Sequence, residues 1–151
     1  MKPHREAADE TLEVISSYVA ALVSGDREKA RSLRAAGYAL DYVHADAFLE
    51  EPVSAEQAEA FWPAWFGAFS EFDYEATRTL AAADVVAMQW VFTGTHTAPL
   101  GPPAFSPRAE PTGRTIRIRG ASFFDLRDGK ILRETLYIDM ATVMVELGYR
   151  P

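Results

Sequence analysis

Val85-Val86-Ala87-Met88-Gln89-Trp90-Val91-Phe92-Thr93-Gly94-Thr95-His96-Thr97 is the stretch on which the reading of the fold turns. Met88, Trp90, Phe92, Gly94 and His96 recur at every second position. That is the period at which an extended strand returns side chains to one face. The run is well beyond the usual strand of about 5–6 residues, and long strands twist and curl. The chain therefore holds a curved sheet with one apolar face.

Downstream, Pro99 to Pro111 holds five prolines and a glycine, so it reads as a loop, longer than a hairpin needs and suited to a lid or rim. Arg114 to Leu126 alternates again, with Ile116, Ile118, Ser122 and Phe124 opposite Arg117 and Arg119. Asp128-Gly129 is a tight hairpin signal. Ile131 to Asp139 reads as the last strand, and Met140, Val143, Met144 and Leu147 as a short closing helix. Upstream, Phe72 to Ala81 reads as a strand. Before it the period changes to three-four. Leu12, Ile15, Tyr18, Val19, Leu22 and Val23 predict an amphipathic helix over Ala7 to Ser24. Asp26 can cap a second helix through about Leu33. Asp46 to Glu51 reads as a short strand closed by Pro52. Ser54-Ala55-Glu56-Gln57 is a capping box opening a helix that carries Ala58, Phe61, Trp62, Trp65, Phe66 and Phe69, with Pro63 inside predicting a kink or a late start.

Helices first and antiparallel strands after give an α+β domain whose sheet curls round the helices and leaves a pocket between them. The 151 residues suit one domain, with residues 1–6 expected to be mobile. A net charge of −7, without a basic stripe of any size, argues against nucleic acid and anionic membranes. There is no cysteine, which excludes thiolate metal sites and cysteine catalysis. The polar start, MKPHREAADE, lacks the apolar core of a signal peptide, and no apolar run approaches the roughly 20 residues of a membrane span. A cytoplasmic protein is expected. His4, His44 and His96 show no paired ligand spacing, Gly94 and Gly101 stand alone rather than in a phosphate loop, and no serine has a nucleophile-elbow context. No metal and no cofactor are expected.

Four segments together resemble the SnoaL-like polyketide cyclases of the nuclear-transport-factor-2-like superfamily. They are Trp90-Val91-Phe92-Thr93-Gly94-Thr95-His96, Pro111-Thr112-Gly113-Arg114, Arg127-Asp128-Gly129-Lys130-Ile131, and Tyr137-Ile138-Asp139 running toward Leu147-Gly148. The resemblance implies a cone-shaped α+β domain of N-terminal helices packed in a curved, mostly antiparallel sheet. It also implies a homodimer through the sheet face of Arg117 and Arg119, and ring closure by aldol chemistry with an acid/base aspartate at Asp139. Such chemistry needs a base near an acidic C–H and a donor for the enolate oxygen. Asp139 reads equally as the N-cap of the closing helix.

A looser resemblance, to the ketosteroid isomerases, points to Tyr18 as an oxyanion-hole donor and to Glu51 as a base. It lacks that family's protonated acid, since Ala121 or Ser122 stands at the position. Each residue also has a plainer reading: Tyr18 as core, Glu51 as a solvated acid, and His96 as a strand-end residue bonded to the Pro-rich loop rather than a proton shuttle. Trp62, Phe66, Trp90, Phe92, Ser122, Tyr137 and Tyr42 are the candidate pocket walls and rim, around a small hydrophobic or aromatic carbonyl ligand. Epoxide opening, as in the limonene-epoxide hydrolases of similar fold, would be favoured by an arginine such as Arg133 beside Asp139. A non-catalytic ligand-binding or dimerisation module would be favoured by an Asp139 bonded only to backbone amides.

Overall fold

The computed structural model describes residues 3–43 and 52–149. The expected strand Asp46 to Glu51, and with it Glu51 and His44, lies outside the described residues. Helix α1 runs His4–Ser24, starting earlier than the apolar pattern suggests. It buries Thr11, Ile15, Tyr18 and Ala21 on one stripe. Gly25 ends it at φ 77°, the left-handed conformation glycine adopts without strain. Asp26 caps α2 (Arg27–Ser32) by accepting from the Lys29 amide at 3.0 Å. Helix α3 (Ala55–Gly67) opens on the expected capping box, Ser54 and Gln57 each accepting the other's backbone N–H. It continues through Pro63 as one helix.

Among the described residues five strands follow the order β1-β5-β4-β3-β2, where β1 is Arg34–Val43, β2 Phe69–Ala81, β3 Val85–His96, β4 Thr115–Arg127 and β5 Lys130–Ile138. Four form an antiparallel meander, and β1 adds in parallel to β5. The β4–β5 turn has φ 51° at Asp128 and φ 72° at Gly129, the paired positive angles of a type I′ hairpin. A seven-residue helix, α4 (Met140–Glu146), closes the chain.

The strand faces fall as alternation predicts over β3 and β4. Met88, Trp90, Phe92 and His96, with Ile116, Ile118, Ser122 and Phe124, face the helices and are buried. Gly120 makes room for Trp90, because a Cβ there would lie 2.1 Å from the indole ring. The indole N–H donates to Ser122 Oγ at 3.2 Å. The Pro-rich segment packs inward rather than standing off as a lid. Leu100, Ala104, Phe105 and Ala109 are buried, and Tyr42 donates its hydroxyl to the Ala104 carbonyl at 3.0 Å.

Candidate functional site

The last strand contains the one carboxylate among the buried polar residues described. Glu134, Leu136 and Ile138 face the helices, and Glu134 is 1% exposed. Trp62 of α3 donates its indole N–H to the carboxylate at 3.2 and 3.3 Å, and Tyr38 of β1 donates its hydroxyl at 3.4 Å. Burial raises the Glu134 pKa to about 7, against the pull of the Trp62 bond, the Arg34 charge and the Tyr38 bond. A carboxyl in that state exchanges a proton near neutral pH, which is what a general acid/base requires.

The polar network continues toward the surface. The Tyr38 and Tyr18 hydroxyls are 3.4 Å apart, and Arg34 donates to the Tyr18 hydroxyl through Nη2 at 2.8 Å and Nε at 3.0 Å. An arginine only donates and a carboxylate only accepts. The ionised chain therefore has one direction, Arg34 to Tyr18 to Tyr38 to Glu134. The Tyr18 oxygen is filled by the guanidinium, so its own proton is what it can offer, at present across a loose contact. Burial pushes the Tyr18 hydroxyl up to about 12, keeping it protonated.

Two spaces adjoin this network. A cleft of about 490 Å³ opens between the end of α1, α2 and α3, with Arg34 and Phe72 also in its wall. That volume lies in the range of small-molecule sites, about 300–1,000 Å³. Behind it a cavity of about 10 Å³ is lined by Glu134, Trp62, Tyr74, Phe124 and Val19. Leu22, Val23 and Phe66 line both, so these side chains partition the cleft from the acid. Trp62 stacks on Phe66 at 5.3 Å and meets Trp90 edge-on at 6.1 Å, giving the acid an aromatic surround.

The residues expected from the sequence divide between this site and other places. Tyr18, Trp62 and Phe66 belong to the network or its walls. Trp90, Phe92 and Ser122 are buried behind them in the core, and Tyr42 fastens the Pro-rich segment. Asp139 is exposed and caps α4, accepting from the Thr142 amide at 3.1 Å and its hydroxyl at 2.6 Å. These bonds hold its carboxyl below the usual range, the reverse of a desolvated base. Tyr137 is on the outer face, 44% exposed, against Phe123. Tyr137, expected as a pocket wall, and Asp139, expected as the acid/base, are therefore both placed outside the cleft. A strand's faces alternate, and the inward set is Glu134, Leu136 and Ile138.

His96 is buried away from the cleft. The Thr112 amide donates to its Nδ1 at 3.2 Å, which places the ring proton on Nε2, and burial lowers its pKa. It is a neutral strut for the Pro-rich segment. Arg133 pairs with Asp41 at 3.7 Å instead of Asp139. Among the described residues no group of three or more His, Asp or Glu side chains could hold a metal ion.

Glu134 was the residue that sequence reasoning passed over. A signal was present: it stands in phase with Leu136 and Ile138 in an otherwise apolar file.

Helices packed in a curved, mostly antiparallel sheet, with an acid and tyrosines buried between the layers, define a cone of the nuclear-transport-factor-2-like class. Within it, the chain belongs to the SnoaL-like polyketide cyclase family, whose model matches residues 13–147. No curated protein matches the sequence. Among solved structures, a candidate SnoaL-like polyketide cyclase from Jannaschia sp. CCS1 superposes with a TM-score of 0.79 at 19% identity over 100% of both chains. AclR, a candidate hydroxylase from Streptomyces galilaeus, gives 0.77 at 21% identity, over 95% of this chain and 88% of its own. IdmH, a candidate polyketide cyclase from Streptomyces antibioticus, gives 0.72 at 25% identity, over 91% and 98%. The first two likenesses are of fold alone.

Proposed function

We propose that this chain is a cofactor-free acid/base enzyme of the cyclase or isomerase type, acting on a flat, enolisable carbonyl compound bound in the cleft between α1, α2 and α3. Glu134 is the acid/base. The observation that carries the reading is a carboxyl wholly buried among aromatic rings, held by Trp62 and Tyr38, with no cation in contact among the described residues. In the first step, the C–H flanking the carbonyl breaks and its proton passes to Glu134. The electron pair moves onto the carbonyl oxygen, and Tyr18 redirects its proton from Tyr38 toward that oxygen. The enolate carbon then attacks an internal carbonyl, whose oxygen takes the proton back from Glu134 as it becomes a hydroxyl, or the carbon skeleton itself takes that proton back at another position. Leu22 and Phe66 swing aside to admit the reacting carbon. The family membership supports the reaction class, and IdmH's description as a polyketide cyclase agrees with it.

The test is solvent-deuterium exchange at the α-carbon of 2-tetralone, followed by NMR. The chain should accelerate exchange over buffer, and Glu134→Gln should reduce that acceleration by about 100-fold or more. Asp139→Asn should leave it intact. Acceleration that survives Glu134→Gln, or is lost in Asp139→Asn, overturns the assignment. No acceleration by any form returns the chain to a ligand-binding module.

The cavity beside Glu134 supports a second reading, because about 10–15 Å³ suffices for one water. Glu134 would then activate that water to open an epoxide. Incorporation of ¹⁸O from solvent into a diol product distinguishes it from ring closure. The homodimer implied by the family would use the outer sheet face of Arg117 and Arg119, which also carries Phe123 and Tyr137, and sedimentation velocity of Tyr137→Glu tests that face.

A further inference from the structure

The cleft carries a cation whose counter-ion lies out of reach. Arg34 is half-buried in the wall, with its guanidinium 4.6 Å from the centre of the Tyr38 ring and 5.3 Å from that of Tyr18. Its Nε–H and one N–H of Nη2 donate to the Tyr18 hydroxyl, which leaves the second N–H of Nη2 and both of Nη1. Among the described residues no hydrogen bond engages its Nη1 and no carboxylate lies in salt-bridge range of it. The nearest acid along the network, Glu134, is three hydrogen bonds away. Whenever Glu134 holds its proton, the network is left with a net positive charge facing the cleft.

The other charges of the cleft are satisfied or solvated. Arg31 and Glu59 bind one another through two hydrogen bonds at 3.0 and 3.1 Å. Asp26 accepts from the Lys29 amide. Arg27 and Glu56 are exposed at the starts of α2 and α3. Between them the walls are apolar, with Leu22, Ala30, Ala60, Pro63, Phe66 and Phe72.

We propose that the cleft takes a flat organic anion, its carboxylate or acidic enolate paired with Arg34 and its apolar body against Phe66, Phe72 and Leu22. An arginine suits such a planar oxyanion because its N–H groups present a fork of matching geometry. The inference rests on reading this cleft as the substrate site, and it narrows the substrate from a carbonyl compound to one that also bears an acidic group.

The network adds a readout that loss of packing would not produce. Among the described residues, the groups facing Glu134 are Tyr18 from α1, Arg34 and Tyr38 from β1, Trp62 from α3 and Tyr74 from β2. Arg34 is the charged one of these at neutral pH. A bound anion offsets the field with which Arg34 supports the Glu134 carboxylate, so the protonated fraction of Glu134 rises as the anion binds, and the ionised fraction that remains is the base.

The experiment is calorimetric titration of the whole chain with 2-naphthoate and with the neutral 2-naphthamide, at pH 7 in two buffers of different ionisation enthalpy. Naphthoate should bind at least about tenfold more tightly, a difference of about 1.4 kcal/mol. Its binding should be accompanied by proton uptake. Arg34→Gln should erase the preference and Arg34→Lys keep part of it. Glu134→Gln should keep the preference and lose the uptake. Should Arg34→Gln fail to fold, the wild-type preference and uptake decide alone. Equal affinities, no binding of either compound, or a preference that survives Arg34→Gln overturns the proposal. Exchange of neutral 2-tetralone tests Glu134 chemistry separately, so the two readings fail in different assays.

Discussion

Replacing Glu134 with Gln should remove a pH dependence of stability that this one carboxyl imposes. Its pKa is 4.5 ordinarily and about 7 in the fold, raised mainly by burial. The native state therefore binds this proton more tightly than the unfolded chain does. The stabilisation is fully present below pH 4.5, declines as pH rises, and is lost on passing pH 7. Each tenfold change in proton affinity corresponds to about 1.4 kcal/mol, so the wild type should lose about 3 kcal/mol of stability across this window on account of Glu134. The assay is urea unfolding of the wild type and Glu134→Gln at intervals from about pH 4 to about pH 8, read as the difference between the two. Subtraction removes Asp139, whose lowered pKa acts in the opposite direction and at lower pH in both proteins. The difference should move against the wild type by about 3 kcal/mol between its acidic and alkaline limits. A flat difference curve would mean that solvent reaches the carboxyl. One that moves in favour of the wild type as pH rises would mean that a cation, rather than burial, governs it.

Three further outcomes follow from the same geometry. Tyr38→Phe removes a donor that favours the charged form, so the Glu134 pKa should rise further, as read by ¹³C NMR of the labelled carboxyl. Asp139→Ala should cost about 1 kcal/mol in urea unfolding through loss of the α4 cap, while 2-tetralone exchange continues. Gly120→Ala drives a methyl group into the Trp90 ring and should cost about 1–3 kcal/mol, with a change in tryptophan fluorescence.

Where one face is apolar and the other polar, the sequence could be read closely. β3 and β4 show this, as do the Ser54–Gln57 capping box and the Asp128-Gly129 turn, because local chemistry and burial point the same way there. β1 could not be read. Its inner face carries Arg34 and Tyr38, which look like surface residues, and its register breaks between Arg34 and Ala39 beside Gly37 at φ 80°. The first strand was accordingly expected at Asp46 to Glu51. The last strand was read in the wrong phase for a related reason. Tyr137 and Asp139 carry the groups that chemistry would choose, and Glu134 looks like an ordinary solvated acid until its neighbours in space are known. What makes Glu134 unusual is supplied by Trp62 and Tyr38, at sequence separations of 72 and 96 residues. Local patterns do not encode such partners.

Those separations bear on how the protein is made. Arg34, Tyr38 and Tyr18 are synthesised early, and Trp62 soon after, but the strand that receives their hydrogen bonds is the last of the sheet. β1 acquires its parallel neighbour only when β5 arrives. Closing so large a loop carries a high entropic cost, and topologies of this kind fold slowly. A chain that lacks β5 therefore holds the Tyr38 hydroxyl and the Trp62 indole N–H without the carboxylate that accepts from them. The buried hydrogen-bond network and the completed sheet share one requirement, the arrival of β5.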